Sequence, residues 1–381
     1  MNWSNHLNEE HTGKHPHKLT LIAGARPNFM KIAPIVHAIQ AAQSGGGQVS
    51  FRLVHTGQHY DEKMSATFFE ELNIPAPDVH LGGGGGTQAQ QTAAIMVAFE
   101  KELMANPADL VLVVGDVTST LACAIVAKKL NTKVAHVEAG IRSFDLTMPE
   151  EINRMVTDAI SDYFFTTSIW AGENLKRSGI KEDKIFFVGN VMIDTLLANI
   201  TKFKKPKVWA DLNLESREYL VMTLHRPGNV DGEDKFRALL KAIIDAANGT
   251  PLVFPVHPRS RAILERLGID EQTVPNLYLL EPMGYLEFNY LVQYAKAVIT
   301  DSGGITEETT VLGVPCMTLR DNTERPETCE VGTNELIGTD PAAIAPAMER
   351  LFSGQWKKGG IPEKWDGSAA RRIVDLLTKL G

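Results

Sequence analysis

Leu110-Val111-Leu112-Val113-Val114 is an uninterrupted apolar run that ends at once in Gly115-Asp116. A strand with no polar alternation must be covered on both faces, which in practice means a parallel sheet sandwiched between helices. The same grammar recurs along the chain. Leu19–Ala23, Val49–His55, Val134–Val137, Tyr163–Thr166 and Ile185–Val188 read as strands with helical patterns between them. After a lysine-rich interruption between Gly189 and Ser216 the rhythm restarts. Tyr219–Leu224, Leu252–Val256, Leu277–Leu280, Ala297–Thr300 and Cys316–Leu319 are the next strands. Strand–helix alternation of this kind predicts an α/β fold.

With 381 residues the chain exceeds one ordinary core, so two Rossmann-like, doubly wound domains with a cleft between them are expected. The expected boundaries are a polar tail over 1–17, a first domain over 18–190, a second over 191–365, and a terminal helical segment over 366–381. The pentaglycine run Gly82–Gly86 lacks a strand–turn–helix setting and reads as a linker. The tail histidines His6, His11, His15 and His17 read as solvated.

Net charge is −8 with no basic block, which argues against nucleic acid. No apolar run reaches the roughly 18 residues that would cross a membrane. The three cysteines, Cys123, Cys316 and Cys329, show no metal-ligand spacing and cannot all pair, which suits a reducing, cytoplasmic setting.

Ligands of open parallel sheets bind at the carboxyl ends of strands. Here nearly every strand end carries a charged or imidazole residue. Arg26 and Lys31 follow the first strand, Asp116 the 110 strand, Glu138 the 134 strand and Glu150 a proline-opened helix. His225 follows the 219 strand. Asp301-Ser302-Gly303-Gly304-Ile305-Thr306-Glu307-Glu308 is a glycine turn opening a helix, so free N–H groups at the dipole's positive end offer an anion site. Carboxylates one turn into that helix cannot hold phosphate, and a hydroxylated group beside the anion points to a nucleotide ribose. Bland readings exist for each position taken singly. Asp116 also fits a helix cap, and Glu150 or Glu151 fits the favourable end of a helix dipole. Local capping does not account for their recurrence at one strand end after another.

Gly24-Ala25-Arg26-Pro27, Gly115-Asp116, His136-Val137-Glu138-Ala139-Gly140-Ile141-Arg142, Pro149-Glu150-Glu151-Ile152-Asn153-Arg154, His225-Arg226, Asp301-Ser302-Gly303-Gly304 with Glu307-Glu308, and Glu324-Arg325-Pro326-Glu327 occur in that order. Together they closely resemble the non-hydrolysing UDP-N-acetylglucosamine 2-epimerase family, from about residue 18 to the C-terminus. The resemblance implies a glycosyltransferase-B type fold with the terminal helix returning to the first domain, and a homodimer. It implies no cofactor and no catalytic metal. The implied reaction interconverts UDP-GlcNAc and UDP-ManNAc by eliminating UDP to 2-acetamidoglucal and adding it back. Asp116, Glu138 and Glu150 are then the acid–base carboxylates and His225 assists at the diphosphate. Arg26, Lys31, Ser302, Gly303 and Gly304 contact the diphosphate or uridine. Glu308 holds the ribose, Arg325 the nucleotide or sugar, and Phe288 lines the uracil pocket. A modified UDP-HexNAc substrate, a hydrolysing enzyme releasing ManNAc and UDP, and a UDP-sugar glycosyltransferase are the alternatives.

The sequence departs from the best-known bacterial members of that family in four places. Pro227-Gly228 follows His225-Arg226 where they carry Arg-Glu. The loop between Arg142 and Pro149 is shorter. Tyr60-Asp61 follows Gln58-His59, and Thr87-Gln88 stands where they place Arg-Gln. Activation by a second substrate molecule is therefore not expected here.

Overall fold

The computed structural model describes residues 17–57, 72–270 and 272–380, with backbone alone at residues 26 and 27. The tail before His17 and the segment Gln58–Asp61 lie outside the described residues.

The first half builds a parallel seven-stranded sheet in the order β3-β2-β1-β4-β5-β6-β7. Its strands are β1 (His17–Ala23), β2 (Val49–His55), β3 (Val79–His80), β4 (Leu110–Val114), β5 (Lys133–Val137), β6 (Tyr163–Thr166) and β7 (Ile185–Phe187). All pairings are parallel, as the unbroken apolar runs require. The second half builds a parallel six-stranded sheet in the order β10-β9-β8-β11-β12-β13. Its strands are β8 (Leu220–Thr223), β9 (Leu252–Pro255), β10 (Leu277–Leu280), β11 (Ala297–Thr300), β12 (Cys316–Thr318) and β13 (Asn334–Leu336). The fold is α/β with two doubly wound sheets, of glycosyltransferase-B type. Two strands had no signature in the sequence, β3 and β13. The first is only two residues long, and the second, Asn334-Glu335-Leu336, carries no apolar run like those that reveal the equally short β7 and β12.

The segment between the sheets is more ordered than its turn-like composition suggests. Val191–Asn199 is a helix whose amide at Met192 is capped by the Asn190 side chain. It packs on the Arg26–Ser44 helix, on Gly303–Leu312 and on Ala369–Leu380. The Ala369–Leu380 helix inserts Ala369, Ala370, Ile373, Val374 and Leu377 into the same apolar core as Leu21, Ile35 and Leu112 of the first sheet. Asp194 caps it by accepting from the Ala369 and Ala370 amides at 3.1 and 2.7 Å.

In each sheet the strand order reverses at one place, between β1 and β4 in the first and between β8 and β11 in the second. Loops at the carboxyl ends diverge there and leave a crevice. The β1/β4 crevice is flanked by Lys31 and Asp116, and the β8/β11 crevice by His225 and the Ser302-Gly303-Gly304 turn.

Candidate active site

Gly115 follows β4 with φ +70°, and a Cβ there would lie 3.0 Å from the Lys31 Nζ. Only glycine lets the turn pass so close to the lysine. The turn places Asp116 beside the Pro149–Ile160 helix. Arg154 donates from Nε and Nη2 to Asp116 Oδ2 at 3.0 and 2.7 Å, and Asn153 donates to the Asp116 carbonyl at 2.8 Å. The helix that follows starts at Thr118 with Val117 at its cap position and no side-chain cap bond, which removes the capping explanation for Asp116. Burial opposes ionisation of Asp116, but Arg154, with Lys31 and Arg325 behind it, holds its carboxyl below the usual carboxylate range.

Glu138 follows β5 with φ +71°, a strained region for a residue with a side chain. Its amide donates to the Phe165 carbonyl at 3.0 Å, which fixes the turn. The buried carboxylate accepts from Lys31 at Oε2 and from Arg325 at Oε1, the latter at 2.6 Å. Lys31 comes from the first domain and Arg325 from the second, so Glu138 is held by cations from both sides of the cleft.

Arg325 is the hub of the second domain's share. Its Nε donates to Glu307 Oε1 at 2.5 Å and its Nη1 to Glu324 Oε1 at 2.8 Å. Asn190, from the crossing between the domains, donates to the same Glu307 oxygen at 2.9 Å. Gly303 lies under this contact, where a Cβ would stand 2.8 Å from Glu324 Oε1 and 3.0 Å from Arg325 Nη1. Burial pushes Glu307 upward against the pull of Arg325. Glu324 is held below the carboxylate range, because Arg325 and Arg320 outweigh its burial.

The Gly303–Leu312 helix begins at Ser302 with no side-chain cap bond, so its first-turn amides are left for a ligand. A Cβ added at Gly304 would meet open space. Glu308 is buried one turn in, flanked by Tyr285 and Asn289, and burial pushes its carboxyl up to about 7. Phe288 is half-buried beside the apolar cluster under that helix.

Asp301, at the end of β11, organises the neighbouring β8 loop. It accepts from the His225 and Arg226 amides at 3.0 and 2.9 Å, and from Asn229 at 3.2 Å. His225 Nδ1 lies 2.9 Å from Asp301 Oδ1. Burial opposes ionisation of Asp301, but His225 and these amides hold it below its ordinary value. A carboxylate at Nδ1 fixes the tautomer and leaves Nε2 as the outward nitrogen of a partly exposed ring.

The structure thus gathers Lys31, Glu138 and Arg325 in direct contact, with Asp116 close by. His225, Ser302, Gly304 and Glu308 stand at the second crevice. Glu150 stands apart, exposed at the start of its helix, with Arg226 as its electrostatic neighbour. The Arg26 side chain lies outside the described residues. The inward acid of the Glu150-Glu151 pair is Glu151. It accepts from the Ser143 and Phe144 amides at 2.9 and 3.1 Å and from Arg154 at 2.5 Å, so it braces the loop before the helix. Arg154, Glu151, Glu307 and Glu324 carry the network without having been singled out as site residues.

The Pro149–Ile160 helix is inverted. Glu151, Asn153, Arg154, Thr157 and Asp158 are buried, whereas Ile152, Met155 and Val156 are 47%, 44% and 37% exposed.

Residues 41–378 match the UDP-N-acetylglucosamine 2-epimerase family. This chain belongs to that family. The UDP-N-acetylglucosamine 2-epimerase of Methanocaldococcus jannaschii is 40% identical over 95% of this chain and 99% of its own length. The UDP-2,3-diacetamido-2,3-dideoxy-D-glucuronate 2-epimerase of Pseudomonas aeruginosa is 39% identical over 95% of this chain and 100% of its own. The crystal structure of the M. jannaschii enzyme with UDP-GlcNAc and UDP superposes with a TM-score of 0.84 at 41% identity, covering 95% of this chain and 99% of that one. As a member of this epimerase family the protein is an isomerase of UDP-sugars. No helix among the described residues is long and apolar enough to cross a membrane.

Proposed function

We propose that this epimerase is non-hydrolysing and interconverts UDP-GlcNAc and UDP-ManNAc by elimination and re-addition of UDP. The observation that carries the reading is the pairing of Glu138 with one cation from each domain, beside Asp116.

The C2 proton is removable only as the C1–O bond to UDP breaks and positive charge grows at C1. The protein must therefore stabilise a departing diphosphate and hold a base near C2. The uncapped Gly303–Leu312 helix, with Ser302, Gly303 and Gly304, supplies oriented amides for the diphosphate. His225, its Nδ1 braced by Asp301, stands beside them and can donate to the diphosphate from Nε2 only when its ring is protonated. Lys31, Arg325 and Arg26 supply positive charge. Glu308 accepts from the ribose hydroxyls and Phe288 borders the base. A diphosphate that draws Lys31 or Arg325 away frees Glu138 to act as a base as the leaving group arrives. Inversion needs proton-transfer groups on two faces, for which Asp116, Glu138 and Glu150 are the candidates.

UDP-GlcNAc incubated with the protein in deuterated water should give UDP-ManNAc with deuterium at C2 and no accumulation of free UDP by phosphorus NMR. Free UDP rising in step with turnover would mean a hydrolysing enzyme. No exchange at C2, with transfer on adding an acceptor, would mean a glycosyltransferase. The P. aeruginosa relative makes a diacetamido-glucuronate sugar the first alternative substrate to include.

We infer a homodimer, supported by the aliphatic outer face of the inverted helix. Met155→Glu should yield monomers by sedimentation; an unchanged mass would discount that face. A reducing cytoplasm accords with three unpaired cysteines.

A further inference from the structure

His136 sits on β5, fully buried on a strand that is otherwise apolar at its inner positions. Buried polar atoms need partners, and both ring nitrogens have one. Nδ1 lies 2.7 Å from Asp158 Oδ1, and Nε2 lies 2.8 Å from the Gly115 carbonyl. Both partners are acceptors. A neutral imidazole has one N–H, so two acceptors require the doubly protonated ring. Asp158 is itself an ionised acceptor, since Arg142 approaches its Oδ2 at 2.6 Å and the Gly140 amide donates to the same oxygen at 3.1 Å.

One acceptor, the Gly115 carbonyl, belongs to the Asp116 turn; the other, Asp158 on the Pro149–Ile160 helix, reaches the stretch just after Glu138. Gly115 immediately precedes Asp116, and its amide already donates to the Val137 carbonyl at 3.0 Å. Asp158 ties the ring to Gly140 and Arg142, just beyond Glu138. Asp158 also lies on the helix whose Asn153 and Arg154 grip Asp116. The charged groups around the ring are therefore Asp158 from the helix, Arg142 from the following loop, Glu138 in the turn just past the strand, and Asp116 with Lys31 beside the Gly115 turn.

We propose that His136 is a positioning residue for the epimerisation, a cationic strut that holds the Asp116 and Glu138 turns in fixed relation by donating from both ring nitrogens. It touches neither substrate nor reacting atoms. This rests on the epimerase reading above.

Two measurements test it. Nitrogen-15 NMR of the wild-type protein with ring-labelled histidine should show both His136 nitrogens carrying a proton under the conditions of the activity assay. An unprotonated His136 nitrogen there would overturn the strut, whatever the variants do. In His136→Asn and His136→Phe, kcat should fall roughly 10- to 100-fold, because small displacements of a proton-transfer group are costly. KM and the Kd for UDP should stay within about twofold. The acidic limb of the pH–rate profile should move to higher pH, since the carboxylates lose a neighbouring cation. Wild-type kcat and profile in a folded variant, or a loss matched by the unfolded fraction alone, would also overturn it. If the wild type epimerises no UDP-HexNAc, the epimerase reading fails while the NMR result on the ring still stands.

Discussion

Glu138 and Arg325 are separated by 187 residues in the chain and meet at 2.6 Å across the cleft. The contact joins the turn after β5 to the second domain's nucleotide side. It makes the position of a first-domain carboxylate depend on how the two domains sit.

Glu138→Gln should lower turnover by at least about 100-fold, the usual range for loss of a proton-transfer group. UDP affinity should be unchanged or tighter, because Lys31 and Arg325 lose a competing carboxylate. Calorimetric titration with UDP checks this, and a large loss of affinity would make Glu138 a structural residue instead.

Arg325→Met leaves Glu138, Glu307 and Glu324 without their shared cation. Breaking a buried ion pair from one side costs about 3–5 kcal/mol. Urea unfolding should show a loss of that order. Arg325→Lys should recover little of it, because an ammonium cannot reproduce a guanidinium addressing three carboxylates from different nitrogens.

Glu308 is pushed up to about 7 by burial, so it is largely protonated below neutrality. A carboxyl that accepts from ribose hydroxyls works best ionised. UDP affinity should therefore rise with pH, by about tenfold per unit below 7, and level off above it. The same titration on Glu308→Gln subtracts the nucleotide's own phosphate ionisation and should remove this component. An identical pH dependence in both proteins would place Glu308 away from the ribose.

Asp194 is raised from an ordinary 3.8 to about 6, chiefly by burial and despite the two helix amides it accepts. A raised carboxyl binds protons more tightly folded than unfolded. Its contribution is thus greatest below about 4, declines as pH rises towards 6, and is flat above. Asp194→Asn should unfold with a shallower dependence on pH across that window. A wild-type slope in the variant would assign the dependence to another group.

The second half of the site was more legible than the first. Gly303-Gly304 after an apolar strand announces a helix N-terminus, and the helix is there with its cap position open. In the first domain Asp116 and Glu138 stood out as charges at apolar strand ends, but their partners did not. Arg154 and Arg325 reach them only through tertiary contacts, one from a helix and one from the other domain. The Glu150-Glu151 pair shows why local pattern fell short. Glu151, Arg154 and Asp158 recur at i, i+3 and i+7 and share a face. An amphipathic reading puts that face in solvent and Ile152, Met155 and Val156 in the core. The helix does the reverse, because its charges are neutralised by the strand-end turns.

The terminal helix Ala369–Leu380 completes the core of the first sheet. During synthesis the first sheet's strands are all made once β7 ends at Phe187, yet their core lacks its last wall until residue 380 is available. At about 5–20 residues per second, that interval lasts roughly 10–40 s. Through it the nascent first domain presents the apolar groove that Ile373, Val374 and Leu377 will later fill, a natural landing place for a chaperone on the translating ribosome. A stop codon just before Ala369 would leave that groove open for good, while leaving every residue proposed for the chemistry in place.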